Sequence, residues 1–330
     1  MRAWDMHCDT LSVLREKARR GEEISFGKNS LQIDLEKLQK GGYGLQCLAA
    51  FIDLGEAPAD DPQLCVMEEA DLFHRILETY PDRVAPVYTG ADIDRNAAAG
   101  KLSLMLTVEE SGCCKGSLGV LRDLYRLGAR MMTLTWNHEN EAAWPNLSAD
   151  QSGPVDPCQP NTTLGLKPLG YEFVAEMERL HMIVDVSHLS DKGFWDLTGC
   201  ATRPFAASHS NCRSLAGHCR NLTDDMIRYM GEHGCLAGLN YCAGFLEPNP
   251  AAEASTVAQI ARHAAHFKQV GGLDMIALGS DFDGIRFGPD MQDASELPKL
   301  EHALAAEGFT ETEIEAIFWG NARRFFMENL

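Results

Sequence analysis

An alternation constrains this chain more than any single motif does. Short apolar runs recur along it, and most are followed by a segment with helical periodicity. The runs are Arg2–Met6, Leu45–Ile52, Leu102–Val108, Ala129–Thr135, Met182–Ser187, Pro204–Ser208, Cys235–Tyr241 and Met275–Ser280. Several are almost continuously apolar, as strands buried on both faces tend to be. A weaker run, Val84–Tyr88, reads as a peripheral ninth strand. Among the intervening segments, Glu68–Tyr80 lines up Leu72, Phe73, Ile76 and Leu77 on one helical face. Leu118–Leu127, Tyr171–Leu180, Thr223–Gly231 and Thr256–Val270 repeat that pattern. The tail Thr310–Met327 opens with Thr310 and Glu313 at capping-box spacing. A strand-then-helix rhythm predicts a parallel α/β fold. About eight repeats favour a closed (β/α)8 TIM-type barrel over an open sheet. The 330 residues contain no long linker and no fixed-period repeat, so one barrel domain over 1–330 is expected.

The polar residues matter through their positions. His7 and Asp9 follow the first run, and Glu109 and Glu110 the third. His138 lies just past the fourth, His188 and His209 follow the fifth and sixth, and Asp281 and Asp283 follow the last. In a parallel barrel all these ends converge on one face. In the extended His7-Cys8-Asp9 triplet, positions i and i+2 point the same way, so an imidazole and a carboxylate can serve one metal ion. Glu109 can bridge two ions, whereas Glu110 reads as a solvated carboxylate at a strand end. His188 and His209, on neighbouring strand ends, look like zinc imidazoles. Asp281 and Asp283 face the same way, and one of them can ligate metal and carry a proton. His263 and His266 read as a solvated helix face. The stretch Trp136–Leu166, rich in Asn, Asp, Ser, Gly and Pro, is a long loop of the kind that builds the functional face of a barrel.

A formal charge of −19 repels phosphate backbones, so nucleic acid is not expected as a partner. The eleven cysteines form no C-x-x-C pair and read as free, mostly buried thiols. The start, MRAWDMHCDT, lacks a signal-peptide core, and no run is long enough to span a bilayer. A cytoplasmic protein without membrane association is therefore expected.

These blocks together resemble the membrane (renal) dipeptidase family, peptidase family M19, of the amidohydrolase superfamily. The likeness covers nearly the whole chain. It runs from Asp5-Met6-His7-Cys8-Asp9 through Thr107-Val108-Glu109, Gly128-Ala129-Arg130 and Leu134-Thr135-Trp136-Asn137. It continues through Asp185-Val186-Ser187-His188, Ser208-His209-Ser210, Cys219–Asp225 and Leu278–Gly284 to Gly320–Phe325. The resemblance implies a zinc-dependent dipeptidase with two Zn2+ per subunit. His7 and Asp9 would hold one ion, His188 and His209 the other, and Glu109 would bridge. Asp281 would sit at the first ion as proton shuttle, and Arg220 would receive the free carboxylate of the substrate. The family's substrate-facing histidine stands where this chain has Trp136, and His138, two residues on, takes its place. Asn240-Tyr241-Cys242 stands where relatives carry an aromatic pair, which makes Tyr241 a substrate-binding candidate.

The implied reaction is attack by a bridging hydroxide on the peptide bond of dipeptides, L-D dipeptides included. By analogy with the family a homodimer is expected. Animal members are secreted and lipid-anchored, and this chain resembles a bacterial, cytoplasmic form. Two other readings stand beside this one. The first is a different binuclear hydrolase of the amidohydrolase superfamily. The second is an inactive barrel used for binding.

Overall fold

The computed structural model describes residues 1–56, 61–147 and 156–330. Nine parallel strands form one sheet: β1 (Ala3–Asp5), β2 (Tyr43–Phe51), β3 (Val84–Pro86), β4 (Leu102–Glu109), β5 (Ala129–Thr133), β6 (Ile183–Asp185), β7 (Ala206–Ala207), β8 (Leu236–Leu239) and β9 (Ile276–Leu278). Their order is β2-β1-β9-β8-β7-β6-β5-β4-β3, and β2 also pairs with β4 from Leu45↔Ser103 to Phe51↔Glu109. That pairing closes eight strands into the expected (β/α)8 barrel. The ninth, β3, pairs with β4 alone, outside the closed ring, as the weak Val84–Tyr88 run suggested.

Most strands end sooner than their apolar runs. β7 keeps two residues of Pro204–Ser208, and β6 stops at Asp185. Beyond those points the backbone turns and redirects polar side chains. His188, Asp281 and Asp283 all take positive φ, at 70, 62 and 67°. The strands crowd closely there. A Cβ on Gly238 or Gly279 would lie 2.0 or 1.9 Å from the carbonyl oxygen of Ser208, so only glycine fits at either position.

The helices follow the predicted stripes. Pro62–Thr79 buries Leu72, Phe73 and Ile76, and Thr310 and Glu313 make the reciprocal capping box at Glu311–Glu315. A π-turn at Ala316–Gly320 then leads into the final helix, Asn321–Asn329. Among the described residues no helix is long and apolar enough to cross a membrane. One expectation fails. His263 is buried, not solvated. Its Nδ1 accepts from Cys212 N (3.1 Å) and its Nε2 donates to Leu246 O (3.1 Å), and burial pushes its pKa down to about 4. His266 is only half-buried and pairs with Asp224 Oδ1 at 2.8 Å.

Apolar side chains fill two regions. One lies between strands and helices. The other fills the barrel and includes Trp4, Met6, Leu45, Cys47, Met105 and Met131. The final helix seals the second region from below. Trp4 stacks on Phe326 with ring centroids 4.8 Å apart, and Asn321 Nδ2 donates to Leu273 O (2.8 Å) and Ile276 O (2.9 Å). With the lower end plugged by hydrocarbon, polar chemistry is left to the upper end. Phe326→Ala opens a cavity beneath Trp4 and is expected to cost about 3–5 kcal/mol. Urea denaturation measures this, and an unchanged midpoint would show that the helix does not seal the barrel.

Candidate metal centre

Six of the predicted side chains meet at the upper end of the barrel. The chain leaving β1 stays zipped to the chain leaving β9: Asp281 N donates to His7 O (3.1 Å) and Asp9 N to Phe282 O (2.9 Å). His7 and Asp9 therefore project beside Asp281, while Cys8 between them turns into the apolar core. His7 Nε2 lies 3.5 Å from Asp9 Oδ2, 3.3 Å from Glu109 Oε2 and 3.9 Å from Asp281 Oδ1. Glu109 turns its other oxygen the opposite way, with Oε1 3.0 Å from His188 Nε2 and 3.4 Å from His209 Nε2. Two overlapping ligand groups result, His7/Glu109/His209 and His7/Asp9/Asp281, each with its donor atoms within 4.8 Å of one another.

The unpaired atoms show what the cluster lacks. His7 Nε2 and Asp9 Oδ1 are buried and make no hydrogen bond. The Nε2 atoms of His188 and His209 face each other at 3.2 Å. Burial and the neighbouring Asp9 push the Asp281 carboxyl well above its usual range. For His7, burial opposes charging, but Glu109 and Asp9 together hold the imidazole pKa well above normal. For His188, burial and then Arg220 depress the pKa to about 3, which leaves a neutral donor nitrogen. Carboxylates and imidazoles converging out of water suit divalent cations, which satisfy all of them at once.

Outer contacts fix the ligand nitrogens. His188 Nδ1 bonds Asn137 Oδ1 at 2.9 Å, so Nε2 is left as the ligand atom. His209 Nδ1 bonds Ser208 Oγ at 2.7 Å, and that hydroxyl donates onward to Asp185. Asn240 Nδ2 donates to Asp281 Oδ2 at 2.9 Å. The choice between the two aspartates is clear from their partners. Asp283 accepts from Thr10 Oγ1 and from Gln32 N, both at 2.7 Å, and so pins loops together, while Asp281 faces the cluster.

Above the cluster lies a cavity of about 430 Å³, with Asp9, Glu109, His188 and Asp281 at its base and Phe51, Trp136 and Phe245 among its walls. Cavities of about 360 and 380 Å³ elsewhere carry no imidazole, so chemistry rather than volume singles this one out. Arg220 is buried, packs 5.4 Å over the Phe245 ring and, among the described residues, has no carboxylate within ion-pair distance. Its NH1 and NH2 reach only Ser210 Oγ (3.4 Å) and His209 O (3.2 Å), and its Nε has no partner. His138 stands apart from the ligands, with Nε2 3.1 Å from Asp53 Oδ1, and Asp53 borders the cavity.

Two expectations change. Tyr241 does not line the cavity. Its amide is tied to Ser280 O (3.3 Å), its ring meets Phe282 edge-on at 5.5 Å in the outer core, and Cys242 and Phe245 form that wall instead. Glu110 is not solvated. It is fully buried and accepts hydrogen bonds from Gly112 N, Trp136 N and Asn140. Sequence reasoning also assigned no role to Asn137, Ser208, Asp185 or Asn240. In the sequence Ser208 adjoins His209 and Asp185 stands three residues before His188, whereas Asn137 and Asn240 adjoin no ligand.

The description of the membrane dipeptidase family, peptidase family M19, matches residues 1–329. The chain is 30% identical to dipeptidase aclJ of Aspergillus oryzae, over 89% of this chain and 69% of that protein. It is also 30% identical to dipeptidase 3 of Mus musculus, over 90% of this chain and 58% of that protein. Among solved structures, dipeptidase AC, a metallopeptidase of family M19, superposes with TM-score 0.89 at 25% identity, covering 100% of this chain and 98% of its own. A metallopeptidase from Rhodobacter sphaeroides, solved with a phosphinate mimic of L-Ala-D-Ala, gives the same TM-score at 24% identity, covering 100% and 99%. Asn137→Ala and Ser208→Ala, which free the far nitrogens of His188 and His209, are expected to weaken metal binding roughly 10–100-fold. Chelator competition reads this, and wild-type affinity in both variants would contradict the ligand assignment.

Proposed function

The chain belongs to the membrane dipeptidase family, whose members are metallopeptidases acting on dipeptides, and we propose that it is a two-zinc dipeptidase. The single observation that carries this reading is the pairing of the six-residue cluster with the buried guanidinium of Arg220, which has no carboxylate partner among the described residues. A buried arginine without a carboxylate is costly unless a ligand supplies one. A dipeptide does so one residue away from its scissile bond.

His7 and Asp9 would hold one zinc, His188 and His209 the other, and Glu109 would stand between, with Asp281 beside the first. When bound, the metals supply a water acidified toward neutral pH and a Lewis acid for the carbonyl. The protein does the rest. Arg220 takes the terminal carboxylate with its planar fork and fixes the register of the peptide. Asp281, steadied by Asn240, accepts the proton of the attacking water and delivers it to the leaving amine. His138, whose partner Asp53 borders the cavity, is assigned to hydrogen-bond the developing oxyanion. We extend the substrate range to dipeptides with a C-terminal D-residue, the configuration mimicked by the ligand of the Rhodobacter sphaeroides enzyme. The proposal also includes a homodimer in the cytoplasm.

Arg220→Ala is expected to raise KM for dipeptides about 10–100-fold, because a charge-assisted bidentate pair is lost. Hydrolysis of C-terminally amidated dipeptides, poor from the start, should barely change. Equal losses on both substrates would remove Arg220 from this role. Asp281→Asn is expected to lower kcat about 10²–10⁴-fold. Steady-state kinetics on metal-loaded protein measures both, with a lactone panel to separate peptide from ester chemistry.

A further inference from the structure

Glu109 and Glu110 are neighbours that point opposite ways. Glu109 enters the metal cluster, while Glu110 enters the protein. The backbone at Glu110 has φ 100°, a conformation that glycine adopts freely and that costs a side-chain-bearing residue about 1 kcal/mol or more. Its carboxyl group is fully buried, and among the described residues no Lys or Arg forms an ion pair with it. A carboxyl group buried without a paired Lys or Arg, on a strained backbone, persists where something else requires it.

What it holds is the loop after β5. Glu110 Oε2 accepts from Trp136 N at 2.7 Å. Its Oε1 accepts from Gly112 N at 2.6 Å and from Asn140 Nδ2. Asn140 in turn donates to Leu134 O (2.8 Å) and accepts from Ala142 N (2.8 Å) and Ala143 N (2.9 Å). Glu110 thus holds the segment 134–143 directly at Trp136 and, through Asn140, at both of its ends. Between them stand Trp136, a wall of the cavity packed edge-on to Phe51 at 4.9 Å, and Asn137, which bonds His188 Nδ1 at 2.9 Å.

The geometry points to Glu110 as a positioning residue of the dipeptidase site: it clasps the 134–143 loop so that Trp136 shapes the substrate pocket and Asn137 aims His188 at the metal. Glu110 touches neither substrate nor metal and acts through those two residues. The substrate half of this inference rests on the dipeptidase reading, while the His188 half does not.

Glu110→Gln keeps the size of the side chain but turns one acceptor into an NH2 group that meets N–H donors. On metal-loaded protein, KM for dipeptides should rise about 10-fold with kcat changed less than about 3-fold, as expected when a buried hydrogen bond that shapes binding is lost. Zinc should be lost to a chelator several-fold faster than from the wild type. Asn140→Ala should reproduce both effects, and the double variant should be no worse than the worse single, because both act through one clasp. Glu110→Gly, which relieves the backbone, should show the same two defects even where its thermal stability matches the wild type. Wild-type KM and zinc release in Glu110→Gly or Asn140→Ala would overturn the inference, as would strictly additive losses. If the wild type hydrolyses no dipeptide, the dipeptidase reading falls, and the zinc-release rates still decide the clasp. Should Glu110→Gln fail to fold, Asn140→Ala carries the test.

Discussion

A single carboxylate with two faces organises the upper end of this barrel. Glu109 leaves β4 with Oε1 toward His188 and His209 and Oε2 toward His7. It can do so only because the strand pairings of a closed barrel bring β1, β6 and β7 around the end of β4. An open sheet of the same strands would leave His7 and His209 remote from one another, whereas here their rings stack at 3.8 Å. Burial raises the cost of every charge in this cluster. The scaffold offsets that cost by surrounding the ligands with fixed dipoles and by leaving a position for cations.

The support beneath the cluster is built twice in the same way. Asp5 ends β1, accepts from the amide two residues on (His7 N, 3.3 Å), and takes Ser280 N (2.8 Å) and Ser280 Oγ (2.6 Å) from the neighbouring strand end. Asp185 ends β6, accepts from Ser187 N (2.9 Å), and takes Ser208 N (2.9 Å) and Ser208 Oγ from its own neighbour. Each clasp ties two adjacent strand ends and sits directly below a ligand, His7 in one case and His209 in the other. A carboxylate fed by several donors is a rigid anchor, because breaking any one bond strands a buried charge. Ligand geometry at His7 and His209 is therefore set by the sheet, while the 134–143 loop orients His188 through Asn137.

These relations explain what could be read from the sequence. The barrel was legible because strands buried on both faces announce themselves as continuous apolar runs, and the ligands because each stands within a few residues of such a run. His7, Asp9, Glu109, His188, His209 and Asp281 all met these conditions, and the structure brings them together. Glu110 was illegible. Nothing in two adjacent glutamates tells which one faces inward, and its partner Asn140 lies 30 residues away. His263 was misread because its spacing to His266 suits an exposed face, while its true role is to satisfy the amide of Cys212, a contact across 51 positions. Tyr241 failed for a different reason. Past the end of β8 the strict in-and-out alternation lapses, and the backbone bond to Ser280 turns the ring into the core.

That last failure points to a general property of the upper end. The residues that carry or support the chemistry stand where regular strand geometry has just ended, and several of them take a handedness that strands never use. His188, Asp281 and Asp283 have φ near 60–70° and Glu110 has φ 100°. In each case glycine would hold the turn without strain, but glycine offers no imidazole or carboxylate. The small energy stored at each turn re-aims one side chain by far more than a rotamer change allows, and the clasps at Asp5 and Asp185 prevent the strand ends from relaxing it away. Strain, anchors and ligands thus form one device. Periodicity fades at the strand ends because the backbone there has been spent on directing individual side chains toward a common centre.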